Sequence, residues 1–192
     1  MYICSMRPQK ILDVDMIAGL TKVFRDKGYE GASLNELAEV TGLKKASLYH
    51  RFPNGKQEMA ECVLTNIDEW VDDHIFFPLL DESKSTELRL REALKNIEIL
   101  YDSGKETCVL RAFSMHSGLS LFAQQVKSGM DKWIAAFSIF GVAIKLSSTQ
   151  SQQNAIQTLI ELQGSLIVTK GLADTSIFKN TLKNIENRYS TE

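Results

Sequence analysis

The stretch Ser33-Leu34-Asn35-Glu36-Leu37-Ala38, followed two residues later by Thr41-Gly42-Leu43-Lys44-Lys45-Ala46-Ser47-Leu48-Tyr49-His50-Arg51-Phe52-Pro53, decides how this 192-residue chain folds. Ser33 and Glu36 have the spacing of a capping box, in which hydroxyl and carboxylate each satisfy a free backbone amide at a helix start. Leu34, Leu37 and Ala38 form the buried side of that short helix, and Gly42 ends it with a turn that a β-carbon would strain. Lys44 or Lys45 opens the next helix. Its Leu48 and Phe52, four residues apart, face the same core, and Pro53-Asn54-Gly55 breaks it.

Two short helices joined at a glycine and gripped by one core make a helix-turn-helix, whose second helix offers its outer side to the DNA major groove. That outer side carries Lys45, Ala46, Ser47, Tyr49 and His50: short donors, a methyl group and an aromatic hydroxyl, which suit base edges better than bulk water. Lys44, Lys45, Tyr49 and the helix start at Lys56 are placed to reach phosphates, which position a protein without reading sequence. Base reading falls to Lys45 on a guanine edge, Ala46 on a thymine methyl, Ser47 and His50.

Upstream, Met16, Ile17, Leu20, Val23 and Phe24 mark one face of a helix that stops at Lys27-Gly28. Downstream, a helix is expected from Lys56 to Phe76, stopped by Pro78. Further helical segments follow through Leu90 to Tyr101, Cys108 to Met115, Leu119 to Ile144, Ile156 to Val168 and Ile177 to Tyr189. The polar stretch Ser147 to Gln153 reads as a connection or a helix start. Strand signals are absent. The expectation is an all-α chain of about nine helices, with a three-helix head over residues 1–56 and a helical body over 57–192.

Bulk composition is that of an ordinary globular protein, 44% hydrophobic and 24% charged. No apolar run approaches the ~20 residues of a membrane span, and Tyr2 to Cys4 is too short for a signal-peptide core, so a cytoplasmic protein without a membrane partner is expected. Cys4, Cys62 and Cys108 are too widely spaced for a zinc site or a disulfide framework and read as reduced thiols. The net charge of −2 excludes a general nucleic-acid binder. Residues 1–56, however, hold nine Lys/Arg against six Asp/Glu, a balance of +3, whereas residues 57–192 hold thirteen against eighteen, a balance of −5. A basic head on an acidic body suits a molecule that meets phosphate with one end only.

The run from Val23 through Tyr29-Glu30-Gly31-Ala32-Ser33 to Ala38, continuing from Thr41 to Pro53, closely resembles the DNA-binding domain of the tetracycline-repressor (TetR) family. The resemblance covers about the first third of the chain. It implies that Ser33, Lys45, Ser47, Tyr49, His50 and Lys56 face DNA, that the protein is a dimeric transcriptional repressor, and that the body senses a ligand. Two departures stand out. Lys44 replaces the Ser or Thr that commonly caps the recognition helix, a cap that could contribute ~1 kcal/mol. The ending Phe52-Pro53-Asn54-Gly55-Lys56 replaces the more usual Lys-Glu and looks similar to the LmrA-like branch, whose members regulate drug-export and related genes.

In the body, Ile156, Ile160, Gln163 and Ile167 form one stripe and Leu159, Leu162 and Leu166 an adjacent one, more apolar surface than a single intramolecular face uses. Phe178, Leu182 and Ile185 continue the pattern, so a homodimer joined through Leu159, Leu162, Leu166, Phe178, Leu182 and Ile185 is expected. An aromatic- and methionine-rich interior with scattered polar groups, Trp70, His74, Arg111, Met115, Trp133, Phe137 and Gln163, is the candidate pocket for a small apolar effector. Ordinary core is the competing reading of the same residues.

Two other function classes compete. A helical enzyme would need a His-Glu-x-x-His, Gly-x-Ser-x-Gly or phosphate-loop signature, none of which occurs, and no cofactor is expected. A DNA-independent interaction scaffold would keep the head as a packing unit and show no salt-sensitive, sequence-selective retention of DNA.

Overall fold

A computed structural model describes residues 13–190, apart from the side chains of Asp13 and His116; Cys4 and Pro8 lie outside the described residues. The head comprises α1 (Asp13–Gly31), α2 (Leu34–Thr41) and α3 (Lys45–Arg51). The body comprises α4 (Lys56–Val71), α5 (Phe77–Leu80), α6 (Thr86–Leu100), α7 (Val109–Phe113), α8 (His116–Ala143), α9 (Ser148–Leu172) and α10 (Ser176–Tyr189). The described residues contain no strand, and the architecture is the expected all-α head and body. Among them no helix is long and apolar enough to cross a membrane.

Local chemistry explains most boundaries. The capping box at Ser33 forms: its Oγ accepts from the Glu36 amide at 3.3 Å and its own amide donates to Glu36 Oε2 at 3.1 Å. Gly42 closes α2 in the left-handed region at φ 61°, letting Leu43 N–H donate to the Ala38 carbonyl at 3.1 Å. Ser147 caps α9 by accepting from the Gln150 amide at 3.2 Å, so the polar stretch after it is a helix start.

Pro78 does not stop the fourth helix. A π-type turn over Asp72–Phe76 carries α4 into α5, and Pro78 occupies the first turn of α5. Proline has no N–H to give the carbonyl four residues back, here that of His74. Asn96 on α6 supplies it, donating from Nδ2 at 2.6 Å. The adjoining Leu79 carbonyl is met by the buried Arg89, whose Nε lies 2.7 Å away. With α5 taken as the tail of α4, the count among the described residues is the nine expected.

Two apolar clusters organise the molecule. One fills the body, with Trp133, Phe137 and Phe140 of α8 packed on Leu162 and Leu166 of α9 and on Phe178, Leu182, Ile185 and Tyr189 of α10. The other joins head to body. Met16, Leu20 and Phe24 of α1, Leu37 of α2 and Leu48 of α3 share it with Met59 and Val63 of α4, Phe113 of α7 and Phe122 of α8. The rings of Phe24 and Phe113 lie 5.4 Å apart, those of Tyr29 and Phe122 5.2 Å, and those of Phe113 and Phe122 5.0 Å. Gly28 permits this approach. It breaks α1 at φ 68°, and a β-carbon there would lie 3.2 Å from the Ala112 carbonyl oxygen.

Two sequence expectations about the body change. Leu162, Leu166, Phe178, Leu182 and Ile185 are buried in the chain's own core and so closed to a partner, and Leu159 is half-buried against it. The other stripe of α9, Ile156, Ile160, Ile167 and Leu172, is exposed together with Ile139 and Val142 of α8, while α10 exposes no large apolar side chain. The seven residues of the expected pocket also do not converge. Phe137 is wholly buried core, Trp70 stacks on the exposed His74 at 4.5 Å, and Met115 is exposed.

Candidate nucleic-acid interface

The head exposes one continuous outward surface on α3. Leu48 is 1% exposed and anchors the helix inward, whereas Lys44, Lys45, Ala46, Ser47, Tyr49 and His50 are all exposed. This follows from position: Leu48 and Phe52 share the buried side, which turns the residues between them toward solvent. Lys44 before α3 and Gly55 before α4 provide no side-chain cap, leaving first-turn amides of both helices without the side-chain acceptor that Ser33 gives α2.

Ser33 and Tyr49 share a concavity with Leu34, Pro53, Asn54, Gly55 and Lys56, formed where the start of α2 meets the start of α4. Leu34, Pro53 and Asn54 were not read as site residues from the sequence; the turn brings them to the rim, and no local pattern signals it. The Ser33 hydroxyl is engaged in capping, donating to Glu36 Oε2 at 2.8 Å. Glu36 in turn pairs with Lys27. The Lys27 bond, with those from Ser33, lowers the Glu36 carboxyl from 4.5 to about 2, so the cap is anionic near neutrality.

Lys56 stands differently from expectation. Its ammonium donates inward to the carbonyls of Tyr29 at 2.9 Å and Ala32 at 3.1 Å, and lies 4.5 Å from the centroid of the Tyr29 ring. It ties the start of α4 to the end of α1, and what it presents toward Tyr49 is the helix start itself rather than a reaching cation.

Other hollows lie away from this surface. A cleft of about 400 Å³ between α4, α7 and α8 is lined by Leu64, Ile67, Val71, Phe76, Leu110 and Trp133, with Thr65, Asp68, Gln124, Gln125 and Ser128 as polar groups. Of the expected pocket residues only Trp133 lines it. Arg111 and Gln163 line a smaller cavity between α7 and α9, and Arg111 and Met115 border a third beneath the end of α1. The thiols of Cys62 and Cys108 are free, and no group of three or more His, Cys, Asp or Glu among the described residues could hold a metal ion.

A helix-turn-helix with an exposed recognition helix, seated on a helical body, defines the class of a DNA-binding transcriptional regulator. Residues 17–63 match the family model described as bacterial regulatory proteins, tetR family. The HTH-type transcriptional regulator YxaF of Bacillus subtilis is 24% identical over 155 residues, covering 78% of this chain and 80% of that one. LmrA, an HTH-type transcriptional regulator of the same organism, is 32% identical over 60 residues, 31% of this chain and 32% of its own length. Among solved structures, a TetR transcriptional regulator from Legionella pneumophila superposes with a TM-score of 0.77 at 17% identity, covering 90% of this chain and 94% of the other. A regulatory protein TetR from Rhodobacter sphaeroides gives 0.76 at 16% identity, with coverages of 91% and 97%. Residues 17–63 thus form a DNA-binding head of the TetR kind, and the chain as a whole is similar in sequence and fold to HTH-type and TetR transcriptional regulators.

Proposed function

We propose that the protein is a homodimeric repressor that reads its operator with α3 and is released by a small, largely apolar effector. The observation that carries the reading is the sorting of α3, with Leu48 buried and Lys44, Lys45, Ala46, Ser47, Tyr49 and His50 exposed in one array. Lys45, Ala46, Ser47 and His50 read base edges. Lys44, Tyr49, Ser33 and the start of α4 at Lys56 position the helix on phosphates, where amides at the start of a helix favour an anion. The functional head is residues 1–56 and the regulatory body residues 57–192, acting together in the cytoplasm, where operator DNA lies.

A second copy of the chain covers the exposed face of Ile139, Val142, Ile156, Ile160, Ile167 and Leu172. Two antiparallel helices with unpartnered apolar outer sides fit a two-fold four-helix contact. The effector occupies the cleft between α4, α7 and α8, whose lining is apolar with a few amide and hydroxyl groups, as small-molecule sites are. The Asp68 carboxylate at its rim is held 2.7 Å from Lys132, so the cleft favours a neutral guest. A guest there bears on α4, the helix whose other end is bonded to α1 through Lys56.

The test is gel-shift retention of genomic fragments across a salt series, followed by a panel of neutral apolar compounds on the selected fragment. We expect sequence-selective retention that weakens steeply with salt and is relieved by at least one compound. Retention of every duplex alike contradicts operator reading; selective retention that no compound relieves contradicts release by an effector.

A further inference from the structure

One turn of chain, Tyr29 to Ala32, lies between the break in α1 at Gly28 and the Ser33 cap of α2. It is held from two sides. From the body, the rings of Phe122 on α8 and Tyr29 meet edge to face at 5.2 Å, and the Ser117 amide in the first turn of α8 donates to Glu30 Oε1 at 3.1 Å. From the start of α4, Lys56 Nζ donates to the Tyr29 and Ala32 carbonyls and stands 4.5 Å from the Tyr29 ring centroid, within reach of a cation–π contact. Phe122 is wholly buried, so the support behind Tyr29 is close-packed core.

The same turn therefore sets two DNA-facing helix starts. It runs directly into Ser33, whose cap opens α2, and through Lys56 it fixes the first residue of α4. Tyr49 rests on that second start: Gly55 is left-handed at φ 67°, and a β-carbon there would lie 3.3 Å from Tyr49 Cε1. Two helix starts and a tyrosine hydroxyl grip neighbouring phosphates only at one spacing, because hydrogen bonds weaken steeply as their geometry departs from the ideal. We propose that Tyr29 is a positioning residue for operator binding. Its ring and carbonyl carry the fixed frame of α8 to the starts of α2 and α4, and Lys56 is the strut between them rather than a phosphate contact. This role rests on the operator reading proposed above and adds to it a residue that touches no DNA.

Fluorescence anisotropy of the full protein on a duplex it selects, read over a salt series at a temperature where circular dichroism shows each variant folded, tests this. We expect Tyr29→Leu and Phe122→Leu to weaken binding by about two- to thirtyfold, alike on all single-base variants of the duplex. Tyr29→Phe, which keeps the ring, should recover most of the loss. Lys56→Met should weaken binding with the salt slope unchanged, whereas loss of a phosphate contact would lower the slope by about 1. A purely structural role cannot mimic these results, since only folded protein is compared. Should a ring variant fail to fold, the affinity and slope of Lys56→Met still decide. Unchanged affinity in folded Tyr29→Leu, Phe122→Leu or Lys56→Met, Tyr29→Phe as weak as Tyr29→Leu, or a lowered slope for Lys56→Met overturns the role alone. If the unaltered protein selects no duplex, the operator reading falls first and this role with it.

Discussion

The Thr107 hydroxyl donates a 2.9 Å hydrogen bond to the Arg25 carbonyl, tying the body to α1 across 82 residues of sequence. Thr107 is buried, so the bond lies inside the seam already packed by Phe24, Phe113 and Phe122. Head and body share one apolar cluster and are expected to unfold together. Urea denaturation followed by fluorescence and by circular dichroism should give coincident single transitions. Thr107→Val should lower stability by about 1 kcal/mol, the worth of one buried bond. Separate head and body transitions would contradict this coupling.

Lys45 and Lys44 stand side by side on the exposed surface but have different tasks. Lys45→Ala is expected to weaken binding and relax preference at one base position, whereas Lys44→Ala should weaken every operator variant alike and reduce the salt slope by about 1. Binding measured over a set of single-base operator variants separates them. Uniform loss for Lys45→Ala removes it from base reading.

Lys56 is bonded inward, so Lys56→Ala should lower the melting temperature as well as operator affinity, because two carbonyls and the Tyr29 ring lose their partner. Tyr49→Phe should weaken binding to all sequences without a comparable fall in melting temperature, since Tyr49 is 46% exposed. Equal thermal effects from the two variants would contradict this division.

The Glu36 carboxyl is lowered from 4.5 to about 2 by Lys27 and Ser33. A depressed carboxyl stabilises the fold above its unfolded value and loses that contribution as pH falls through the folded one. The loss should therefore develop between about pH 4.5 and pH 2. Glu36→Gln should flatten the acid limb of stability in that window, read by urea unfolding at several pH values. An unchanged acid limb would show that the capping box contributes nothing to it.

The two α9 stripes give opposite outcomes on substitution. Ile160→Asp, at a residue 57% exposed, should leave the monomer folded and abolish the dimer. Leu162→Ala, at a residue 1% exposed in the buried stripe, should cost about 2–5 kcal/mol of folding stability. Sedimentation of the first and unfolding of the second are the checks. A folded, dimeric Ile160→Asp would move the interface elsewhere.

The sequence revealed most where the signals are local. Ser33 and Glu36 lie three residues apart, Gly42 needs its own φ, and Leu48 to Phe52 is one helical turn, so the head and the outward set on α3 are readable without tertiary knowledge. Partners distant in sequence defeated the same reasoning. Pro78 reads as a stop because its compensating donor, Asn96, is far away, and Lys56 reads as a free cation because its acceptors, Tyr29 and Ala32, precede it by two dozen residues. On α9, periodicity revealed two apolar stripes but not which one α8 and α10 bury. Likewise Trp133 and Phe137 share a helix face, and only packing separates cleft lining from solid core.

The most direct measurement is selection of duplexes from a random library by the purified protein, followed by sequencing and footprinting. The account predicts a two-fold symmetric site with half-sites about 34 Å apart or a small multiple of that, and loss of the selected motif when α3 carries Lys45→Ala. Recovery of sequences without a common motif, or of a single unpaired half-site, would contradict it.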